Sequence, residues 1–344
     1  MGRSTKQNKL TTPELIAQVN PENIRLMNDF LGYLRSMQRS PSTIRQYESD
    51  LKIFFVFLLQ NCGNKFYVNV SKRDIVAYQN WLINENGNSP ARVRRLKSAI
   101  ASLGNYVENI LDDEYQGFRQ IVRKIENPAP QLVREKTVLT EDQVQFLLDT
   151  LIAKKKYMQA CVVALAAYSG ARKSELLRFK TDYFKDENLI CSGALWRTSE
   201  KIKTKGRGLG KYIYKYILVS GFQPYFDLWM QYRHENDIES EWLFPSREDP
   251  KVPAPVGMLD GWTAAHSRIL GVPVYFHAYR HHFTTTLSKQ GLPDSVIKTV
   301  CGWDSVDMVS TYKDIDEEDE LESYFEDGGF KNGVSATLDS LGKR

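Results

Sequence analysis

The sequence predicts a mainly α-helical protein of two domains, with one small antiparallel β-sheet in the second domain. Three observations support this fold class. Apolar residues recur at helical spacing through most of the chain. One stretch instead alternates and is rich in aromatic and β-branched residues, as short strands are. The length of 344 residues exceeds that of a typical domain of about 100–150 residues, and the composition, 42% hydrophobic and 26% charged, is that of a globular protein.

The first domain is predicted to be all-helical and to comprise residues 21–126, after a flexible basic segment at residues 1–20. Its helical patterns cover Pro21–Phe57 with a break at Ser40-Pro41, then Asp74–Leu82 and Ser89–Ile110. The last of these helices begins with four basic side chains. They indicate either a solvated surface or a helix that lies along a DNA groove, and the sequence leaves both interpretations open. The four residues are Arg92, Arg94, Arg95 and Lys97.

A linker is predicted at residues 127–138, because Asn127-Pro128-Ala129-Pro130 breaks the periodicity. The second domain follows over residues 139–312. It opens with a capping box in which Thr140 is the N-cap and Gln143 reaches back. Short strands are expected within residues 188–219, and helices return after residue 253.

A basic, glycine-rich loop at residues 201–211 lies between the predicted strands, so it places cationic groups at the tip of a hairpin. A polyanionic partner suits such a loop. Its candidate DNA-contacting or catalytic side chains are Lys201, Lys203, Lys205 and Arg207.

Three of the five histidines of the chain lie within residues 276–283, together with Arg280. Imidazoles move protons near neutral pH, and guanidinium groups bind phosphate with two parallel hydrogen bonds. Cleavage of a phosphodiester without a metal needs a nucleophile, charge on the nonbridging oxygens and a proton for the leaving oxygen. Tyr312, the two arginines Arg172 and Arg280, and a loop lysine are the respective candidates.

The order of these residues resembles that of the tyrosine recombinase family, the phage integrases and their chromosomal and plasmid relatives. That family has an arginine followed three positions later by an acidic residue, a lysine in a β-hairpin, a His-x-x-Arg-His motif, and Gly-His or Gly-Trp nine residues before a nucleophilic tyrosine. The matching residues here are Arg172, Glu175, the hairpin lysine, His277, Arg280, His281, Trp303 and Tyr312.

The resemblance extends to the first domain. The segment Thr43–Tyr47, followed by Asp50-Leu51, is similar to the start of the helical core-binding domain of the family, so the likeness covers roughly residues 21–325. Thr43 and Arg45 are therefore further candidates for DNA contact. In the family, the core-binding domain and an α+β catalytic domain form a C-shaped clamp on DNA, which is the architecture expected here.

The resemblance also implies a mechanism. Tyr312 attacks the scissile phosphate, giving a 3′-phosphotyrosyl link and a free 5′-hydroxyl. Glu175 orients Arg172, while the arginines, His281 and Trp303 surround the phosphorus. His277 assists proton transfer, and a lysine protonates the leaving oxygen. Lys203 fits a Lys-Thr alignment best, with Lys205 second and Lys201 third.

The same resemblance implies the partners. They are double-stranded DNA with an inverted-repeat core site, further copies of the chain in a tetramer on two duplexes, and in some systems a directionality factor. No cofactor or metal is expected. Integration and excision of a phage or other mobile element is the favoured role, and resolution of chromosome or plasmid multimers would use the same residues. A type IB topoisomerase, a DNA-binding protein without catalysis, and a zinc site on His277 and His281 are less favoured interpretations.

Charge is unevenly distributed along the chain. The net charge is +4, but residues 313–344 carry −6, so residues 1–312 carry +10. Within the acidic tail, Leu321, Tyr324 and Phe325 share one helical face and predict a short helix that links subunits. The chain has no run of about 18 apolar residues, and its four scattered cysteines indicate reduced thiols. These features predict a protein with reduced thiols that binds no membrane, and the family resemblance implies a cytoplasmic, nucleoid-associated protein of a bacterial host.

Overall fold

The computed structural model describes residues 9–130, 137–204, 210–312, 325–326 and 329–330. The described residues divide into two compact units, one up to residue 130 and the other from residue 137 onward. Both units are mainly helical, and the second contains small antiparallel sheets. The predicted fold class is thus confirmed.

The first unit is a helical bundle around an aromatic core. Side-chain oxygens of Thr12, Asn20, Ser40, Ser71 and Ser89 cap the starts of its helices, which satisfies N–H groups that have no partner within the helix. A π-helical turn over Trp81–Glu85 extends the fourth helix. The helices are α1 (Pro13–Gln18), α2 (Pro21–Ser36), α3 (Pro41–Asn61), α4 (Lys72–Asn80) and α5 (Pro90–Ile110).

The prediction of a flexible segment over residues 1–20 is wrong for its second half; residues 1–8 lie outside the described parts. Thr12 and Pro13 provide an N-cap followed by proline at the first helical position, which is a local helix-start signal. Leu15 and Ile16 then pack against the core of the first unit, and Val19 is buried. Apolar contact therefore fixes this short helix.

At the centre of the second unit lies one helix that is buried on all sides. Helix α7, Tyr157–Ser169, is made largely of small and apolar residues and packs against α6, α9 and α11. The predicted capping box of Thr140 and Gln143 is present at the start of α6. The helices of this unit are α6 (Glu141–Ala153), α7, α8 (Lys173–Leu176), α9 (Val219–Glu235), α10 (Gly257–Leu270), α11 (Phe276–Lys289), α12 (Asp294–Cys301) and α13 (Asp307–Tyr312).

The strands expected within residues 188–219 are confirmed. One antiparallel sheet has the order β1-β2-β5, and a separate hairpin pairs β3 with β4, with Lys203 opposite Tyr212. The strands are β1 (Leu189–Ile190), β2 (Leu195–Arg197), β3 (Ile202–Thr204), β4 (Lys211–Ile213) and β5 (Tyr216–Leu218).

The tail does not contain the predicted helix at Phe325. Strand β6, Phe325–Glu326, pairs with β7, Gly329–Phe330, in an antiparallel hairpin. The two residues between them in the sequence are Asp-Gly, the dipeptide typical of two-residue hairpin loops, which favours a hairpin over a helix at this point. Leu321 and Tyr324, the other residues of the predicted helical face, lie outside the described residues.

Candidate active site

Arg172 lies in the turn between α7 and α8. Helix α7 ends at Ser169, and Gly170 follows with a left-handed φ of 54°. A Cβ at Gly170 would come within 2.5 Å of the Phe283 ring, so this backbone passes too close to α11 for any residue but glycine. The N–H of Arg172 donates to Oε2 of Glu175 at 2.9 Å, which closes the first turn of α8.

Glu175 is the buried centre of a polar cluster and has no exposed surface. Nη1 of Arg172 donates to Oε1 at 2.9 Å, the hydroxyl of Thr204 donates to the same oxygen, and Nζ of Lys215 lies 3.1 Å from Oε2. Burial raises the pKa of Glu175, but Lys215, Thr204 and Arg172 together outweigh this effect and lower it to about 2. The carboxylate therefore stays ionised and fixes one edge of the Arg172 guanidinium, whose side chain remains 26% exposed.

Arg280 joins three segments of the second unit. Its Nη1 donates to the carbonyl of Gly170 at 2.5 Å, its Nη2 donates to the carbonyl of Cys301 at 3.1 Å, and its guanidinium lies 4.8 Å from the ring centroid of Trp303. The side chain is fully buried. In this structure a phosphate has no access to Arg280 unless the groups that cover it move.

His277 and His281 lie one turn apart on α11, with ring centroids 6.2 Å apart. His277 is exposed, whereas His281 is buried. Partial burial and the positive charge of Arg280 lower the pKa of His277. Its neutral form therefore predominates at neutral pH and can accept a proton.

Trp303 follows a glycine that its neighbours require. Gly302 has φ of 68°, and a Cβ there would overlap the side chain of Ile213 in β4. Trp303 itself is buried, and its backbone N–H donates to the carbonyl of Lys298 at 3.0 Å. The hairpin of β3 and β4 thus packs directly on the segment that leads to α13.

We expect Gly302→Ala to destabilise the protein more than Gly271→Ala does. Both glycines end a helix with nearly the same φ, 68° and 69°, but a Cβ at Gly271 would meet no atom within 4 Å. The left-handed conformation costs any other residue about 1–2 kcal/mol in both variants. Overlap with the Cδ1 atom of Ile213, which has to move aside, adds about 1 kcal/mol at Gly302 alone. Urea unfolding of both variants measures the difference, and equal losses would contradict this packing.

Tyr312 is the last residue of α13, so the helix backbone extends from near Trp303 to the predicted nucleophile. Its side chain lies outside the part of the chain that the structure describes. The role of Tyr312 therefore stays a prediction.

Neither of the two candidate hairpin lysines that the structure describes, Lys201 and Lys203, contacts Glu175. Lys203 lies in β3 between the buried Ile202 and Thr204, and because strand side chains alternate, it faces away from the cluster that Thr204 joins. Its Cε lies close to Gly210 in the opposite arm of the hairpin. Lys201 is exposed, with its ammonium 5.6 Å from the ring centroid of Tyr214. Lys205 and Arg207 lie outside the described residues.

Lys215 is a site residue that the sequence prediction missed. This lysine is fully buried beside Glu175 and precedes β5, two residues before the fully buried Ile217. Because residues i and i+2 of an extended segment share a face, the alternation of this segment already indicated an inward lysine. A lysine at such a position needs a buried carboxylate partner, which Glu175 supplies.

The basic residues at the start of α5 all have partners within the first unit. Arg92 and Arg95 both donate to Oδ1 of Asp50, at 2.9 and 3.1 Å, and Arg94 donates to the carbonyl of Pro128. Their side chains nevertheless keep some exposure, so contact with DNA stays a prediction for these three.

The position of Lys97 contradicts the prediction that this residue contacts DNA. Its side chain is only 3% exposed, and its ammonium donates to Oε1 of Gln79 and to the carbonyls of Ile125 and Glu126. It cannot reach a phosphate from this position. Lys97 instead holds the chain that follows the Val122–Lys124 turn against α5.

The two candidate DNA contacts at the start of α3, Thr43 and Arg45, differ in what their side chains contact. The hydroxyl of Thr43 lies 2.8 Å from that of the capping residue Ser40, so Thr43 contributes to the helix start. Arg45 is exposed and available to a ligand. Contact of Thr43 and Arg45 with DNA stays a prediction.

Two further observations concern metal binding and membrane spanning. Within the described ranges, no three His, Cys, Asp or Glu side chains lie together as metal ligands would, so His277 and His281 gain no third ligand there. None of the helices in those ranges combines the length and the apolar character needed to cross a bilayer.

Comparison with known proteins decides the family. The profile of the phage integrase family matches residues 137–319, which is more than half of the chain, and the N-terminal SAM-like domain of phage integrases matches residues 26–116. The chain belongs to the phage integrase family. The suspected resemblance is thereby confirmed, and the protein is an enzyme of the tyrosine-type site-specific recombinases.

Members of the family are also found among curated proteins. This integrase-family chain is 28% identical over 284 residues to the SPbeta prophage-derived recombinase-like protein YomM of Bacillus subtilis (strain 168), covering 80% of this chain and 81% of YomM. It is 26% identical over 192 residues to tyrosine recombinase XerC of Caldanaerobacter subterraneus subsp. tengcongensis, covering 49% and 52%.

Solved structures share the fold of this integrase-family protein. The post-cleavage complex of XerH recombinase bound to palindromic difH matches with a TM-score of 0.64 and 16% identity, covering 92% of this chain and 91% of that one. A lambda integrase dimer bound to a COC′ core site, residues 75–356, matches with a TM-score of 0.63 and 15% identity, covering 85% and 95%.

Proposed function

We propose that this recombinase integrates and excises a phage or other mobile element through a 3′-phosphotyrosyl intermediate on Tyr312. The relation to YomM favours a mobile element, since that protein is named as prophage-derived and the match covers most of both chains.

The observation that carries the chemical proposal is the set of contacts around Arg280. Its guanidinium holds the carbonyls of Gly170 and Cys301 and lies 4.8 Å from the ring centroid of Trp303, so the Arg172 turn, α11 and the segment before α13 meet at one point. Buried polar groups cost free energy unless each has a partner, so these contacts stabilise one arrangement of the three segments. A cationic meeting point of this kind suits an anionic reacting centre.

In the proposed reaction, the phenolic oxygen of Tyr312 attacks phosphorus and the bond to the 5′-oxygen breaks. His277, neutral at the start, takes part in moving the phenolic proton, while Arg172, Arg280 and His281 balance charge on the nonbridging oxygens. A hairpin lysine, Lys203 in our first choice, gives the leaving 5′-oxygen its proton. Attack by a 5′-hydroxyl of a partner duplex reverses these steps and releases the tyrosine, so no external energy source is consumed.

We propose that residues 21–126 and 139–312 act as the core-binding and catalytic domains of a clamp on duplex DNA, joined by a linker at residues 127–138. A lambda integrase tetramer bound to a Holliday junction shares this fold, with a TM-score of 0.62. By analogy, a tetramer of this chain on two inverted-repeat sites performs strand exchange, with a directionality factor as a possible further partner, in the cytoplasm of a bacterial host.

Multimer resolution is the second candidate. The match to XerC favours it, but that match covers about half of either chain, whereas the match to YomM covers about four fifths. The active-site residues are common to both roles, so the DNA site has to decide between them.

Covalent capture from a random duplex library tests the proposal. The protein is incubated with the library in excess chelator, denatured with detergent, and any protein–DNA adduct is isolated and sequenced. We expect adducts on duplexes that share an inverted repeat, linked through the 3′ side of the break. Absence of any adduct would refute the proposed chemistry. A recovered repeat that matches the ends of a mobile element supports integration, whereas a single chromosomal match supports multimer resolution.

A further inference from the structure

We infer that Lys215 is a positioning residue, which neutralises Glu175 and thereby leaves the charge of Arg172 available to the scissile phosphate. This inference rests on the proposed function and deepens it, because it names a residue that determines how strongly the site holds an anion. Lys215 lies outside the set of residues that the family motif supplies.

The position of Lys215 is fixed from both sides. Its N–H donates to the hydroxyl of Thr198 at 3.2 Å, and the N–H of Thr198 donates back to its carbonyl at 3.0 Å. From this anchored backbone the side chain crosses to Glu175, and its Nζ lies 3.1 Å from Oε2. Neither Lys215 nor Glu175 has exposed surface, so water does not screen the pair.

The two oxygens of Glu175 divide between its cationic partners. Oε1 accepts from Nη1 of Arg172 at 2.9 Å, whereas Oε2 faces Lys215 and the N–H of Arg172. If Lys215 were neutral or absent, the full charge of the carboxylate would act on Arg172 alone. Arg172 would then be attracted into the protein and would have less positive potential to offer a phosphate.

The net charge of the cluster shows how strongly the loss of Lys215 would change its electrostatic potential. Among Arg172, Arg280, Lys215 and Glu175 the net charge is positive, because three cations face one carboxylate. Burial lowers the pKa of Lys215, and the Glu175 carboxylate opposes this loss of its proton. Removing the lysine charge leaves two arginines and one carboxylate, in surroundings where a unit charge acts more strongly than in water.

Lys215 itself does not touch the DNA in this proposal. Its side chain is 0% exposed, whereas Lys201 and Lys203 of the hairpin are exposed. Substitution of Lys215 should therefore leave the affinity for the duplex unchanged while it slows the chemical step.

The test compares two substrates on the same protein preparation. One duplex carries the sequence recovered by covalent capture, and the other carries the same sequence with a methylphosphonate, which is uncharged, at the scissile position. We expect Lys215→Met to slow adduct formation on the phosphate about tenfold or more and to slow it far less on the methylphosphonate, because a neutral centre does not need the missing charge. The ratio of the two rates is independent of the folded fraction of protein, so a merely structural defect leaves it unchanged.

A charge-restoring variant and a matched control sharpen the test. Glu175→Gln combined with Lys215→Met removes the buried pair together, and its ratio should return towards the wild-type value. If Lys215→Met alone fails to fold, the double variant still tests the inference. A phosphate-to-methylphosphonate rate ratio about tenfold below that of the wild-type protein would then overturn it. Lys185→Met removes one exposed positive charge from the same unit and should keep the wild-type ratio.

The possible outcomes separate the two proposals. If the wild-type protein forms no adduct on the phosphate duplex, the proposed function fails. If the wild-type protein forms the adduct and Lys215→Met slows both substrates equally, or neither, the recombinase chemistry stands and the role of Lys215 is refuted.

Discussion

Replacing Tyr312 with phenylalanine is expected to abolish covalent attachment to DNA while leaving binding intact. The substitution removes one oxygen atom at the end of α13 and keeps the ring, so the fold and the basic surfaces remain. Without a nucleophile the phosphodiester stays unbroken, because no other group in the proposal forms the covalent link. Denaturing gels with labelled duplex measure attachment, and gel shifts under native conditions measure binding.

Tyr232→Phe is the matched control for this loss. It deletes the same hydroxyl group from a tyrosine of α9 whose ring packs against Tyr157 and Trp229. We expect its adduct yield to equal that of the wild-type protein. A detergent-resistant adduct formed by Tyr312→Phe would show that a different residue attacks the phosphate.

Replacing Arg280 with lysine is expected to slow adduct formation by about 10²–10³-fold. Lysine keeps the positive charge but lacks the planar fork in which Nη1 binds the carbonyl of Gly170 and Nη2 that of Cys301, and it lacks the guanidinium plane that lies near Trp303. The Arg172 turn and the segment before α13 would then lose their common support. Single-turnover rates of adduct formation at saturating protein measure the effect.

Arg233→Lys controls for the general cost of replacing a buried arginine. Arg233 is 4% exposed and lies in α9, and its guanidinium also binds backbone carbonyls, among them those of Ser240 and Trp242. Within the described residues its hydrogen bonds go to no candidate catalytic residue. We expect both variants to be less stable to urea. At a temperature where both variants are folded, only Arg280→Lys should form the protein–DNA adduct more slowly. Equal rates of adduct formation in the two variants would show that Arg280 has no role in the proposed reaction.

The helices and the polar cluster differ in how far the sequence predicts them. Helix starts are local, so Ser40-Pro41 and the Thr140–Gln143 capping box could be read from neighbouring residues, and the structure has both. The family resemblance also implied that Glu175 orients Arg172, and the two side chains meet at the start of α8.

The incorrect predictions arose where charge was weighed before periodicity. Lys97 was grouped with its basic neighbours, yet Val93, Leu96 and Ile100 are buried at the helical spacing that puts Lys97 on the same face. Lys215 is less conspicuous in the sequence than the hairpin lysines, although its place two residues from the buried Ile217 indicates an inward side chain. Which carboxylate each lysine would meet depends on contacts between segments distant in sequence, and no local pattern supplies those.

The complete burial of Arg280 has a consequence for how selectively the proposed reaction would proceed. A guanidinium with no accessible surface cannot engage a phosphate that diffuses past, so a duplex held only loosely leaves the site inert. Uncovering it takes free energy, which only an extensively bound target can provide. On the proposed mechanism, loosely held DNA would therefore stay uncut without any inhibitor, since Trp303, whose ring lies 4.8 Å from the guanidinium, helps to cover it.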